Sequence, residues 1–175
     1  MPEQNDITHL HAQRKLRPKI EDVIPLVVDD DNQKNVLDFV AWFRENKMAP
    51  GWSGVHNAWD TKCKGKTICK ISLEMDGQWY ARLYLTNINK YEDRIIREEL
   101  PELIINKLVY CRPCEPPRKC AMRENKQLFG EEFKGLCYEF TYSGGLQFLF
   151  PNPDEAVINN MKILLEMERE ARAKI

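Results

Sequence analysis

The chain is 175 residues long, with 26 Lys and Arg against 27 Asp and Glu, a formal net charge of -1. Hydrophobic residues make up 43% and charged residues 30%. This excludes wholesale disorder and fibrous repeats and is enough for one core without disulfides. The charge balance excludes the global basic field of a strong non-specific nucleic-acid binder.

No apolar run approaches the ~20 residues of a membrane span. The polar N-terminal stretch lacks the apolar region of a secretory signal. A cytoplasmic protein with no membrane partner is expected. Six cysteines in a reducing compartment are more often ligands, redox thiols or core hydrophobes than structural disulfides.

Residues 1–19 are polar and read as a mobile arm. Residues 20–170 read as a single α+β domain, and 171–175 as a frayed end. Ile20–Val28 is apolar but interrupted by Pro25, which predicts an extended cover over a core edge. Asp29, Asp30, Asp31 and Asn32 signal a helix start. The stripe of Val36, Val40 and Phe43, widened by Leu37 and Ala41, predicts a helix over roughly 32–47. Ala49-Pro50-Gly51 stops it, and 49–65 reads as a loop.

Thr67, Cys69, Ile71 and Leu73 alternate with polar residues, and Asp76-Gly77 predicts a hairpin returning through Trp79 to Leu85. Helical stretches follow Asn89, split by Pro101. A second hairpin is predicted from Leu136–Tyr142, a Ser143-Gly144-Gly145 turn and Leu146–Phe150. Asn152-Pro153-Asp154-Glu155 starts the last helix, whose charged end is expected to fray from Glu166. The order predicts an α+β, two-layer fold: an antiparallel sheet of two β-hairpins, with three to four helices on one face.

Two features carry chemistry. Trp52, His56 and Trp59 lie within eight residues of a predicted loop, where two indoles and an imidazole can line a pocket for a flat or cationic ligand. The same residues serve equally as core plugs and a turn cap. Tyr80 and Arg82, with Tyr84, form a stripe opposite Trp79. It reads as a solvated sheet face or as a stacking surface for single-stranded nucleic acid.

The second feature is Cys111-Arg-Pro-Cys114, followed by Cys120 and Cys137. Four thiolates satisfy a tetrahedral structural zinc, and C-x2-C aims two sulfurs at one ion. Prolines 113, 116 and 117 hold the loop out of helix. Unmetallated thiols and a thiol–disulfide redox pair remain alternatives. The redox reading is weakened because the motif follows a helix and does not open one. Cys69 reads as a core thiol and Cys63 as an exposed one.

Several stretches carry a resemblance: Asp38-Phe39-Val40-Ala41-Trp42-Phe43, Met48-Ala49-Pro50-Gly51-Trp52, Lys64-Gly65-Lys66-Thr67-Ile68-Cys69, Tyr110-Cys111 through Cys120, Phe129–Cys137, and Phe150-Pro151-Asn152-Pro153-Asp154. Together they resemble an uncharacterised family of small cysteine-bearing bacterial cytosolic proteins, remotely similar to the MmcQ/YjbR-like α+β group. The resemblance covers roughly residues 32–170. It implies the fold and a bacterial cytosol, and it carries no established activity or catalytic residues. Its cysteine pattern matches Cys111, Cys114, Cys120 and Cys137, with a longer interval before Cys120.

No nucleophile elbow, phosphate-binding loop, dinucleotide fingerprint or zinc-protease motif is present in the sequence. The sequence thus predicts a binding or interaction domain with a structural zinc, whose partner is an unknown small molecule or protein. A redox protein and a single-strand-binding module are the alternatives.

Overall fold

The computed structural model describes residues 6–109, 123–137 and 146–174; for Asp6, 123–126 and 133–137 it describes the backbone alone. The helices are α1 (Leu10–Leu16), α2 (Ile20–Val27), α3 (Asp30–Glu45), α4 (Glu92–Arg97), α5 (Pro101–Ile105) and α6 (Glu155–Ala173). The strands are β1 (Gly51–Trp52), β2 (Ala58–Cys63), β3 (Lys66–Leu73), β4 (Trp79–Leu85), β5 (Arg123–Leu128), β6 (Glu131–Cys137) and β7 (Leu146–Pro151). They form an antiparallel five-stranded sheet, in the order β1-β2-β3-β4-β7, and a separate β5–β6 ribbon. The fold is α+β.

The chain divides into two compact units, one of residues 1–82 and 150–161, the other of 83–149 and 162–175. In the first, α3 follows from its sequence. Asp29 sits at the N-cap, Asp30 and Asp31 occupy the first turn, and Val36, Phe39, Val40 and Phe43 are buried at helical spacing. The Phe39 ring lies 6.3 Å from that of Trp79, which is fully buried at the head of β4. Trp79, Ala81, Leu83 and Leu85 are buried and alternate with half-buried Tyr80, Arg82 and Tyr84. The tight turn before β4 needs Gly77, whose φ is +88°. A Cβ there would lie 2.1 Å from Asp29 Oδ1.

Four expectations are corrected. Ile20–Val27 is a helix, not an extended cover. Ile20, Val23, Ile24 and Val27 all bury on one helical face, and this burial outweighs the bond that Pro25 cannot donate, with Pro25 itself exposed. Residues 6–16 are not an unstructured arm, because a 3-10 turn and α1 place Gln13 in full burial. Gln13 Nε2 donates to the Asn57 side chain and to the Ile7 carbonyl, and Gln13 Oε1 accepts from the Asn57 backbone at 2.9 Å. Residues 49–65 contain β1 and β2; indole burial made strands of what Gly, Pro and Asn mark as loop.

The last correction is in the second unit, where α6 stays helical to Ala173 with Met167, Glu168, Ala171 and Arg172 buried, so its end does not fray from Glu166. In this unit the hairpin expected between 136–142 and 146–150 falls largely on residues outside those described. β6 pairs instead with β5, and Phe148 of β7 bridges Leu108.

Candidate functional site

The site begins where α3 ends. Met48 N donates to the Phe43 carbonyl at 2.9 Å and Lys47 N to the Arg44 carbonyl at 3.0 Å. This is a Schellman closure, which places Lys47 in the left-handed region at φ 60°. Glycine is the usual residue there, because an L side chain costs about 1–2 kcal/mol in that conformation. The cation partly compensates by lying against the negative end of the helix. Buried Met48 and Pro50 then lead the chain into β1.

β1 runs antiparallel to β2, with Gly51 opposite Asp60 and Trp52 opposite Trp59. Opposed residues share a face. Trp59 is fully buried, and its Nε1 donates to the Pro18 carbonyl at 2.9 Å. On the other face, a Cβ added to Gly51 would meet nothing within 4 Å. A cavity of about 320 Å³ adjoins this edge of the sheet, lined by Lys47, Gly51, Trp52, Ser53, Asp60 and Lys62 among others.

The cavity holds unmatched polarity. Asp60 pairs with Lys70, directly opposite on β3, at 3.6 Å from Oδ1. That separation is Coulombic and beyond hydrogen-bond reach. Asp60 Oδ1 is buried and accepts no hydrogen bond from the described residues, and buried Trp52 Nε1 has no acceptor among them. Lys47 and Lys62 are exposed and form no ion pair among the described residues. A buried polar group without a partner costs about 1–3 kcal/mol, and core residues Thr61 and Trp79 each carry one such atom as well.

No protein-family model, curated protein or solved structure matches this chain.

Of the residues singled out from sequence, only Trp52 lines the cavity. Trp59 is a core residue and not a pocket wall. His56 is exposed, and its Nε2 donates to the Thr8 carbonyl at 2.6 Å, tying the first turn to the β1–β2 connection. Tyr80 and Arg82 lie half-buried on the polar face of β4, with the Tyr80 hydroxyl donating to Gln78 at 3.2 Å. Cys69 is a core thiol as expected, and burial, with the Asp60 charge, pushes its pKa well up. Cys63 is buried, not exposed, because it shares the core face of β2 with Trp59 and Thr61, while Asp60 and Lys62 face the other way. Cys111, Cys114 and Cys120 lie outside the described residues, and Cys137 is described only as the last residue of β6. Among the described residues no cluster of three or more His, Cys, Asp or Glu could hold a metal.

Sequence reasoning missed Lys47, Gly51 and Asp60. Their only signal was the Pro50-Gly51 break after a helix, which was read as a stop rather than as space.

A second charged cluster lies in the other unit. Glu168 is fully buried and accepts from Thr86 Oγ1 (2.6 Å), Asn87 N (3.0 Å), Tyr91 OH (2.6 Å) and Arg172 Nε (2.7 Å). Asn87 Nδ2 adds a further bond at 2.9 Å. Burial pushes the Glu168 carboxyl up, but the bonds from Thr86, Tyr91, Arg172 and Asn87 together outweigh it and hold the pKa below the usual value. Burial and the adjacent carboxylate push the Tyr91 phenol well up. Every lone pair of Glu168 is engaged, so it has no capacity for a ligand.

Proposed function

We propose that the protein is a binding domain that takes a small polar molecule into the cavity between the end of α3 and β1–β2. One observation carries this reading: a cavity of about 320 Å³ whose lining brings together the partly exposed Asp60 carboxylate and two lysines that form no ion pair among the described residues. Small-molecule sites are concave and hold a few convergent polar groups, and their volumes start near 300 Å³. Gly51 supplies the test. Its φ is not in the left-handed region, and a side chain there would project into open space. Gly51→Leu should fold and melt as the parent does while filling the cavity. A panel of small polar metabolites should then raise the melting temperature of the parent alone. Equal shifts in both proteins, or none in either, would remove the reading.

A second reading is a structural zinc held by Cys111, Cys114, Cys120 and Cys137. The observation favouring it is the register of the ribbon. Cys137 ends β6 opposite Arg123, and only two residues of chain separate Arg123 from Cys120. A two-stranded ribbon is marginal in water, so a metal at its open end would stabilise it. Native mass spectrometry with elemental analysis checks this. One zinc per chain, lost in Cys137→Ser, is expected, and a metal-free, fully reduced protein would sink it.

A further inference from the structure

The charges of the cavity go beyond the presence of a ligand to its class, on the reading that the cavity is a binding site. Lys70 stands 3.6 Å from Asp60 and already offsets its charge. Lys47 and Lys62 are left as two positive charges on the lining, with no ion pair among the described residues. Two cations are matched by a dianion, and charge-assisted bonds to ammonium groups are the stronger kind. The Asp60 carboxylate lines the cavity with its side chain 21% exposed, and its accessible part can accept a hydrogen bond. A ligand ammonium is a poor donor, since it would be placed beside Lys70 with like charge. A neutral hydroxyl donates without that repulsion. Ser53 and Trp52 add polar groups of their own to the lining.

The geometry points to a small hydroxylated dianion as the ligand, its two negative charges on Lys47 and Lys62 and its hydroxyl donating to Asp60. Hydroxy-dicarboxylates and sugar-type phosphate monoesters share this chemistry. A volume of about 320 Å³ suits molecules of this size.

The test is isothermal titration of the full chain with malate and with glycerol 3-phosphate. Succinate, which lacks the hydroxyl, and glycerol, which lacks the charge, are the controls. At least one of the two hydroxylated dianions should bind. Its counterpart lacking hydroxyl or charge should bind about tenfold more weakly or worse. The tighter of malate and glycerol 3-phosphate assigns the source as carboxylate or phosphate. Lys47→Gly should weaken binding by about tenfold, and added salt should weaken it further because both lysines are exposed. Succinate or glycerol binding as tightly, with that binding lost in Gly51→Leu, would overturn the dianion class and leave the cavity reading standing. Malate binding that survives Gly51→Leu would overturn both. No binding of either hydroxylated dianion at millimolar concentration would overturn the class assigned here.

Discussion

Asp60 and Glu168 are both carboxylates paired with a cation, Asp60 across two strands and Glu168 one turn along its own helix, and their surroundings differ in one respect. Glu168 is saturated by five donors on four residues, and Arg172 beside it is only 5% exposed. Asp60 has a cation at 3.6 Å, a side chain 21% exposed, and an oxygen left wanting. A carboxylate with all its lone pairs engaged fixes the geometry of its neighbours. One with a lone pair to spare, beside open volume, is arranged to receive something. Open volume beside the carboxylate, together with its fewer bonds, separates the candidate site from the scaffold.

Four variants and one titration probe this contrast. Glu168→Ala should be the most damaging, at about 3–5 kcal/mol, because it removes the carboxylate that offsets the charge of buried Arg172 and strips the shared acceptor from Thr86, Asn87 and Tyr91. Urea unfolding reads it directly, and a loss under 1 kcal/mol would refute the scaffold role. Exchanging Glu168 and Arg172 together for Leu and Met should recover most of that loss, since removing both charges spares the uncompensated one.

Acid should expose the same network. The folded pKa of Glu168 is depressed, so its contribution is complete above the ordinary carboxylate pKa of about 4.3 and is lost as pH falls through the lower folded value. Stability measured down through this range should fall in the parent and fall less in the Leu/Met double variant.

Asp60→Ala should cost at most about 1 kcal/mol, because the Lys70 pair is partly exposed and no hydrogen bond is lost. Smallest of all, Lys47→Gly should stabilise the chain by about 0.5 kcal/mol, relief of left-handed strain exceeding the added entropy of the unfolded chain. More stable folding with weaker ligand binding would mark Lys47 as kept for function. Lower stability would mark it as a helix-end charge only.

The sequence made the amphipathic and hairpin elements legible, and left the site largely hidden. α3, the β3–β4 turn at Asp76-Gly77 and the start of α6 follow from patterns a few residues long. α2 did not, because one proline argues against helix locally while four buried side chains argue for it only once a core exists. β1 and β2 hid behind Pro50, Gly51 and Asn57, residues that mark turns. Cys63 was misplaced for the same reason: without β2, its alternation with Trp59 had no meaning. The cavity is built from a missing side chain at Gly51 and from Asp60, whose nearest charge is Lys70, ten residues along the chain and across a strand pair. No short-range pattern records either. Glu168 and Arg172 stand four apart, a spacing readable as a helix pair, but their burial required Thr86, Asn87 and Tyr91, far away in sequence.

The burial of Cys63 and Cys69 has a use in the laboratory. Both thiols are sheltered, and that of Cys69 is also held protonated well above its ordinary range. A thiol reagent acts on the exposed thiolate, so neither should react in the native protein. Any rapid labelling would then report on Cys111, Cys114, Cys120 and Cys137 alone. Counting the fast-reacting thiols before and after adding a chelator turns two silent cysteines into the baseline against which metal occupancy of the other four is read.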